Sequence, residues 1–242
     1  MKMKVIITEN YEEMSKKTAE ILIDVVKNNP SAVLGLATGS SPIGTYQNMI
    51  KDHKENGTSY KNVKTVNLDE YVGLTNHPDQ SYAYFMRDNL FNHVDIDLKN
   101  TNVPCGAAKD LEKECERYNA LLEECKQDVQ LLGIGSNGHI GFNEPGTPID
   151  SVTHLVDLTE NTIKDNSRLF ASIDEVPRQA LSMGIKNIMN AKSVVLVASG
   201  KNKAKAVYGM VKGAVTPDLP ASILQLHPNV ILVCDKDAAS LL

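Results

Sequence analysis

The sequence predicts an α/β fold in which helices cover both faces of a mostly parallel sheet. Short apolar runs, rich in β-branched residues and Leu, alternate with amphipathic stretches along most of the chain. This alternation is typical of buried parallel strands connected by helices. A chain of 242 residues also fits one domain of this class. We therefore expect a single domain over residues 1–242, with no internal repeat or linker.

Six apolar runs are predicted to be strands of the sheet. Each run is short and uninterrupted, as expected for a strand that is buried on both faces. The runs are residues 5–8, 33–37, 63–68, 129–134, 194–198 and 230–234. Ligands of such sheets bind outside the carboxyl ends of the strands, so the residues that follow these runs are the first candidates for a site.

The stretches between the runs carry helix signals. Asn10 to Glu13 resembles a capping box, and the apolar residues from Met14 to Val25 recur on one helical face. This first helix is predicted to end at Pro30, because proline cannot continue a helix. Further helices are predicted to start near Pro42, Ser81, Asp110, Thr159, Pro177 and Asn202.

The composition excludes several classes of function. A net charge of −5 argues against binding to nucleic acid or to an anionic membrane surface, and the absence of Trp argues against an aromatic stacking platform. No apolar run is long enough to span a membrane, and the short N-terminal run does not resemble a secretory signal. The four cysteines lack the spacing of a zinc site. We expect free thiols in a cytoplasmic protein, without a metal.

The glycine-rich stretch 133–145 is the most informative part of the chain. It places His139 and Glu144 in a loop directly after an apolar run. Glycine lets the backbone approach a ligand closely, and an imidazole beside a carboxylate is suited to acid–base catalysis. A loop histidine can also be an ordinary surface residue, but these neighbours favour a catalytic His139. Asn137 can hold one ring nitrogen by a hydrogen bond.

The same glycines match the GxGxxG fingerprint of dinucleotide-binding proteins, with Asp157 about 20 residues further on. That fingerprint requires a helix to begin at its third glycine, which is Gly138. Residues 139–148 contain two Gly and two Pro, a composition that excludes a regular helix. We therefore do not expect a nicotinamide cofactor.

Residues 37–42 are predicted to form a strand–turn–helix junction. The hydroxyl groups and the free N–H groups at a helix start favour an anion site, although an ordinary helix cap is the alternative. It is not a Walker A loop, because no Gly-Lys-Ser/Thr follows. The candidate anion-binding residues are Thr38, Gly39, Ser40 and Ser41.

Two carboxylates and two cations complete the candidate site. Asp69 and Glu70 follow the run 63–68, where a carboxylate can abstract a proton or cap a helix. Arg168 and Lys203 are suited to a phosphate, because arginine binds it bidentately and lysine supplies a point charge; each can also be a solvated surface residue. The candidates that follow strands are all predicted to lie at one edge of the sheet.

These segments together resemble the glucosamine-6-phosphate deaminase family, also called glucosamine-6-phosphate isomerases. They occur in the family's order and span nearly the whole chain, and the motifs GHIGFNEP and LDEYVG are the most specific. The matching segments are residues 38–42, 67–73, 133–145, 166–168, 202–204 and 224–228.

The resemblance implies a Rossmann-like three-layer αβα sandwich that converts glucosamine 6-phosphate and water to fructose 6-phosphate and ammonia, without a cofactor. It implies that His139 assists opening of the sugar ring, supported by Glu144 and by the residue at position 137. Asp69 is then the base that takes the C2 proton and returns it at C1. Many members carry Asp where this chain has Asn137, so the charge role is expected to fall to Glu144.

The resemblance also assigns the phosphate to residues 38–41, Arg168 and Lys203, and it places Arg168 on a lid near residues 159–181. Hexameric members that are activated by N-acetylglucosamine 6-phosphate carry an Arg and a Lys where this chain has His154 and Val156. They also have a longer C-terminal tail. We therefore expect a monomer or small homo-oligomer that this ligand does not activate.

Two alternative functions remain at this point. A related 6-phosphogluconolactonase would share the fold and a glycine-rich histidine loop, but its hydrolysis would not need Asp69 for C–H abstraction. A non-catalytic sugar-phosphate sensor would need a DNA-binding segment, and no basic helix-turn-helix extension is visible. Both fit the sequence less well than a deaminase acting on a small sugar phosphate.

Overall fold

Within residues 3–74, 78–167, 170 and 172–242, which the computed structural model describes, ten strands form two sheets. The larger sheet has seven strands in the order β1-β10-β9-β6-β2-β3-β5, and the smaller has the order β4-β8-β7. The strands are β1 (Lys4–Thr8), β2 (Val33–Leu36), β3 (Lys64–Asn67), β4 (Asp69–Tyr71), β5 (Thr101–Asn102), β6 (Val129–Leu132), β7 (His154–Asp157), β8 (Gln179–Ser182), β9 (Val194–Ala198) and β10 (Val230–Asp235).

The seven-stranded sheet is parallel throughout, and helices cover both of its faces. The α/β class and the parallel sheet predicted from the sequence are therefore confirmed. The helices are α1 (Tyr11–Asn28), α2 (Ile43–Asn56), α3 (Tyr82–Asn89), α4 (Leu111–Glu124), α5 (Glu160–Asn166), α6 (Ile185–Met189) and α7 (Ala204–Lys212).

Alternate residues of the central strands build two separate apolar layers. In β9, Val195 and Val197 pack with α1, α2 and α3, while Val194 and Leu196 pack with α4, α6 and α7. Burying one such side chain contributes about 1.5–3 kcal/mol relative to leaving it exposed. The continuous apolar runs seen in the sequence are the consequence of this burial on both faces.

Helix α1 begins close to where the sequence predicts. The side chain of Asn10 accepts a hydrogen bond from the Glu13 N–H, as in a capping box. In a complete capping box the Glu13 carboxylate would accept the N–H of Asn10 in return. Here it accepts the N–H of Glu9 instead. The helix ends at Asn28, two residues before Pro30.

The three-stranded antiparallel sheet was not predicted, and the helix predicted near Pro177 is wrong. Residues Gln179–Ser182 form β8, the middle strand, which pairs with β4 on one side and with β7 on the other. Ala180 and Leu181 are fully buried there. Pairing with two partner strands outweighs the local helix signal, and the helix α6 begins only at Ile185.

The predicted strand 63–68 is also divided. Strand β3 ends at Asn67, and Asp69 begins β4 in the second sheet. Asp69 therefore lies where the chain passes from one sheet to the other. The predicted strand 129–134 ends earlier, at Leu132.

Two other expectations concern the whole chain. The four cysteines, all within the described part of the chain, are free thiols. Among the helices that the structure describes, none is long and apolar enough to cross a membrane.

Candidate active site

Four neighbouring strands of the large sheet, in the order β9-β6-β2-β3, end at one cavity of about 1010 Å³. The loops that follow these strands carry most of the residues singled out in the sequence. Those that line the cavity are Thr38, Gly39, Ser40, Ser41, Asp69, His139 and Lys203. Asn137 and Glu144 contact each other rather than the cavity, and Arg168 lies outside the described residues.

The hydroxyl-rich loop after β2 is held in place by two tyrosines. The Tyr46 hydroxyl donates to the carbonyl oxygen of Ala37 (2.5 Å), and the Tyr11 hydroxyl donates to that of Ser40 (2.9 Å). Gly39 adopts a left-handed conformation (φ 87°) that other residues rarely adopt. The N-terminus of α2 has no side-chain cap. The junction is therefore a loop that presents hydroxyl groups to the cavity rather than an ordinary helix cap.

Asp235 fixes the turn that carries Lys203. Its carboxylate accepts hydrogen bonds from the Ser199 hydroxyl (2.5 Å) and from the Gly200 N–H (3.0 Å). Gly200 has a φ of 92°, which makes the sharp turn after β9 possible. Asp235 is 6% exposed, at the end of the neighbouring strand β10. The position of this cation therefore depends on a buried carboxylate that the sequence did not single out.

Asp69 and Glu70 are both buried but have different surroundings. Glu70 accepts hydrogen bonds from the backbone N–H groups of Tyr71, Tyr82 and Ala83 at 2.8–2.9 Å, and two of these belong to the start of α3. Burial raises the pKa of Glu70, and these donors offset part of the rise. Glu70 thus binds free N–H groups at the N-terminus of α3, and Asp69 is the carboxylate that lines the cavity.

Asp69 is prepared to act as a base. Burial, with a smaller contribution from the charge of Glu70, raises the pKa of Asp69 from 3.8 to about 8. A carboxylate with such a pKa accepts protons more strongly than an ordinary aspartate. The glycine-rich loop passes close to it, since a methyl group on Gly141 would lie 3.7 Å from Asp69 Oδ2.

The imidazole of His139 lies directly against the backbone of Gly135. A methyl group at position 135 would be 2.4 Å from the ring atoms Cε1 and Nδ1. The glycine is needed here for close approach, whereas Gly138 is needed for its left-handed conformation (φ 87°). No helix begins after Gly138. This agrees with the prediction that the GxGxxG match is not followed by the helix that a dinucleotide-binding motif requires.

Glu144 is the centre of a small polar network beside His139. Its Oε1 lies 3.5 Å from His139 Nδ1 and accepts a 2.8 Å hydrogen bond from the Thr162 hydroxyl. Its Oε2 accepts a 2.7 Å bond from the Asn137 amide. Burial raises the pKa of Glu144, but His139 and these donors outweigh it and lower the pKa to about 2. Glu144 is therefore ionised at neutral pH, and its negative charge lies next to the imidazole.

The side chain of Asn137 does not bind the imidazole ring. Its Nδ2 donates to Glu144, and its Oδ1 accepts from the backbone N–H of His139 at 3.2 Å. The hydrogen bond to a ring nitrogen that the sequence suggested is wrong. Asn137 instead orients the carboxylate that faces the ring.

One wall of the cavity is aromatic. The rings of Tyr82 and Phe142 stack with an interplanar angle of 9° at 6.3 Å, and both residues line the cavity. Tyr71 packs against Tyr82 at 4.7 Å. These three rings therefore pack against one another at this wall.

Several residues of the site were missed in the sequence. Thr162 and Lys164, both on α5, line the cavity beside the catalytic candidates. A signal for Thr162 exists, since Thr159 and Thr162 stand at the start of a predicted helix. Three further residues support the loops of the site through contacts with other segments, and no local sequence pattern identifies them. They are Tyr11, Tyr46 and Asp235.

The sheet and the acid–base cavity at its carboxyl edge define a class of sugar-phosphate enzymes. The family model of glucosamine-6-phosphate isomerases/6-phosphogluconolactonase matches residues 8–232. The chain is 54% identical over 241 residues to a glucosamine-6-phosphate deaminase of Thermoanaerobacter pseudethanolicus, covering 99% of this chain and 95% of that protein. It is 52% identical over 240 residues to one of a Geobacillus species, covering 99% and 96%. The chain belongs to the glucosamine-6-phosphate deaminase family.

Two solved structures have the same fold as this chain. A structure described as a monomeric glucosamine-6-phosphate deaminase superposes with a TM-score of 0.97 at 48% identity, covering 99% of this chain and 100% of that one. A 6-phosphogluconolactonase from Trypanosoma brucei superposes with a TM-score of 0.80 at 19% identity, covering 100% and 99%. At that identity the second likeness shows the shared fold alone.

Proposed function

We propose that this protein converts glucosamine 6-phosphate and water to fructose 6-phosphate and ammonia. The observation that carries the proposal is that one cavity joins a strong carboxylate base, an imidazole and a hydroxyl-rich anion loop. Asp69, His139 and residues 38–41 all line it. Full-length identity to named deaminases supports the same reaction.

The phosphate of the substrate would bind between the loop 38–41 and Lys203. Hydroxyl groups, loop N–H groups and a lysine together suit a dianion. We assign Arg168 to the same phosphate on the basis of the family motif alone. Binding energy gained at this end positions the reacting carbons at the other end of the cavity.

The ring form of the sugar must open before the C2 proton becomes acidic, and we assign this step to His139. The imidazole takes the proton of the anomeric hydroxyl and delivers one to the ring oxygen, so the C1–O5 bond breaks and an aldehyde forms. The negative charge of Glu144 stabilises the imidazolium that appears between the two transfers.

Asp69 then acts on the open-chain substrate. It removes the C2 proton, and the C–H electron pair forms the C1=C2 double bond while the C1=O π pair moves to O1. O1 takes a proton from the neighbouring C2 ammonium group, so that an enolamine forms. Returning the proton to C1 leaves an imine at C2, which water hydrolyses to the ketone with release of ammonia. With its pKa raised to about 8, Asp69 is a strong base once it is ionised. A cationic amine bound beside it favours the charged carboxylate that the reaction needs.

Coupled detection of ammonia and fructose 6-phosphate from glucosamine 6-phosphate tests the reaction. Asp69→Asn should abolish exchange of the C2 hydrogen with solvent deuterium while substrate still binds. His139→Gln should slow turnover at least tenfold, and His93→Gln, whose ring bonds the Asp88 carbonyl at an exposed site, is its matched control. Hydrolysis of 6-phosphogluconolactone without ammonia release would favour the lactonase alternative and overturn the proposal.

We further propose a single domain that is a monomer or small homo-oligomer, not activated by N-acetylglucosamine 6-phosphate. The similarity to a monomeric deaminase at 48% identity supports this. Because a charged sugar phosphate does not cross a membrane unaided, we place the reaction in the cytoplasm. Light scattering gives the mass in solution, and sigmoidal kinetics abolished by N-acetylglucosamine 6-phosphate would contradict the proposal.

Residues 159–181 are proposed to move as a lid over the bound sugar. The support is that Thr162 and Lys164, on α5, line the cavity, so this helix lies within reach of a bound substrate. Hydrogen exchange of residues 159–181 should slow when an open-chain substrate analogue binds. Unchanged exchange at saturating analogue would argue for a fixed segment.

A further inference from the structure

Thr162 binds the carboxylate oxygen that faces the candidate catalytic histidine. The Thr162 hydroxyl lies 2.8 Å from Glu144 Oε1, and the same oxygen lies 3.5 Å from His139 Nδ1. Thr162 is 9% exposed. A residue of α5 therefore shares one oxygen atom with the imidazole of the glycine-rich loop.

The hydroxyl of Thr162 completes the fixation of Glu144. The other oxygen, Oε2, is held by the Asn137 amide at 2.7 Å. With that bond alone, the carboxylate can rotate and carry Oε1 away from His139. Two hydrogen bonds to different oxygens define its plane, and bonds to a charged acceptor are each about twice as strong as neutral ones.

A hydroxyl chain leads from the start of α5 to the carboxylate. Thr159 Oγ1 and Thr162 Oγ1 are 3.0 Å apart. A hydroxyl has one hydrogen to donate, and an ionised carboxylate only accepts. Because Thr162 donates to Glu144, the Thr159 hydroxyl is the donor to Thr162. Thr159 is the N-cap of α5, so this chain ties the first turn of the helix to Glu144.

We propose that Thr162 is a positioning residue for the ring-opening step: its hydroxyl holds Glu144 Oε1 toward His139 and makes that alignment depend on the place of α5. The inference rests on the function proposed above. Thr162 acts through Glu144 and His139, at the end of the cavity where the chemistry occurs. Its loss therefore lowers kcat and leaves KM nearly unchanged, because the phosphate loop is intact.

Thr162→Val removes the hydroxyl and keeps the shape of the side chain. We expect kcat for glucosamine 6-phosphate to fall about tenfold with KM within about twofold, since small misplacements of catalytic groups have effects of this order or larger. Thr162→Ser keeps the hydroxyl and should restore kcat to within about threefold of wild type. Should the valine variant fail to fold, Thr162→Ala carries the same expectation.

Thr18→Val is the matched control. Thr18 is a fully buried helical threonine whose hydroxyl bonds the Met14 carbonyl at 2.8 Å, within α1. Its loss should change the melting temperature without changing kcat. A fall in kcat equal to that of Thr162→Val would show that removing any buried hydroxyl has this effect, and would overturn the proposal.

A double-mutant cycle with Glu144→Gln separates positioning from a general structural role. If Thr162 acts through Glu144, Thr162→Val should cost less than about twofold in kcat once Glu144 is Gln. A full tenfold loss in that background, or an unchanged kcat in the single variant, overturns this inference while wild-type deamination stands. Absence of ammonia release by the wild type overturns the proposed function itself.

Discussion

Asp69 and Glu70 are adjacent buried carboxylates with opposite surroundings. Glu70 accepts backbone N–H groups at the start of α3, whereas Asp69 lines the cavity with its pKa raised to about 8. The two are consecutive residues of the strand β4, so their side chains point to opposite faces of the small sheet. The hydrogen bonds of Glu70 to α3 anchor the strand that presents the base.

The raised pKa of Asp69 predicts a pH-dependent cost in stability. The folded protein binds this proton more tightly than the unfolded chain, so stability from this group is complete below about pH 4 and is lost as pH rises through about 8. Asp69→Asn should therefore be more stable than wild type near pH 9, by at most about 6 kcal/mol.

Urea denaturation of both proteins between about pH 4 and pH 9 measures this effect. The difference in free energy of unfolding should shrink toward zero at the acid end of the range. Parallel curves for the two proteins would mean that Asp69 has an ordinary pKa in the folded state.

The contact between Gly135 and His139 predicts a loss of activity without loss of the fold. In Gly135→Ala the new methyl group would lie 2.4 Å from the imidazole, so the ring must turn out of its place. We expect kcat/KM to fall about a hundredfold, as for other misplaced catalytic groups. Gly133→Ala is the control in the same loop, because its methyl group would meet no atom closer than 3.9 Å. Equal losses in both variants would contradict this explanation.

The hydrogen bond from Asn137 to Glu144 predicts the effect of introducing a second acid. In Asn137→Asp a carboxylate oxygen replaces the donor that now lies 2.7 Å from Glu144 Oε2. Repulsion between the two charges should raise the pKa of Glu144. The side-chain carboxyl of Glu144, followed by carbon-13 NMR, should then titrate at higher pH than in wild type.

Asn137→Ala removes the same hydrogen bond without adding charge, and it should shift the titration of Glu144 less. Carbon-13 NMR titrations of the two variants, measured at constant ionic strength, give the comparison. If they coincide, the added charge has no influence on Glu144.

The anchoring of the 199–203 turn by Asp235 predicts an effect on substrate binding. Asp235→Asn replaces one of the two accepting oxygens and loosens the turn that carries Lys203. KM should rise about tenfold, corresponding to about 1.4 kcal/mol, with kcat within about twofold. Asp128→Asn is the control, since Asp128 accepts the Val33 N–H at the opposite end of the sheet. A similar rise in KM for both variants would contradict a local role.

Six of the seven strands of the large sheet were predictable because local composition reveals them as apolar runs. The edge strand β5, Thr101–Asn102, contains no apolar residue and was not predicted. The small sheet was not, because β8 has four residues and gains its stability from pairing with segments far away in the sequence, such as Asp69 with Ser182. Pairing between segments far apart in the sequence therefore determines that residues 179–182 form a strand. A short stretch of sequence does not contain that information.

The candidate site was predictable to a similar extent. Residues that follow strands were found, since the edge of a parallel sheet brings them together whatever the details of the loops. The hydrogen-bond partners of the Asn137 side chain were not predicted correctly. A side-chain amide in this loop can reach both the His139 ring and the Glu144 carboxylate, and the sequence does not decide between them. Thr162 was missed for another reason: its distance from Glu144 depends on how α5 packs, which composition does not record.

The catalytic candidates lie only at the carboxyl ends of the parallel strands. The loops at the opposite, amino ends of the strands, which form the far rim, can therefore accept an insertion without touching the site. The turn at residues 29–31, between α1 and β2, is exposed on that rim. A reporter peptide grafted between Pro30 and Ser31 would sit a full strand length from the sugar. Such a fusion would allow the protein to be followed in living cells while it continues to turn over its substrate.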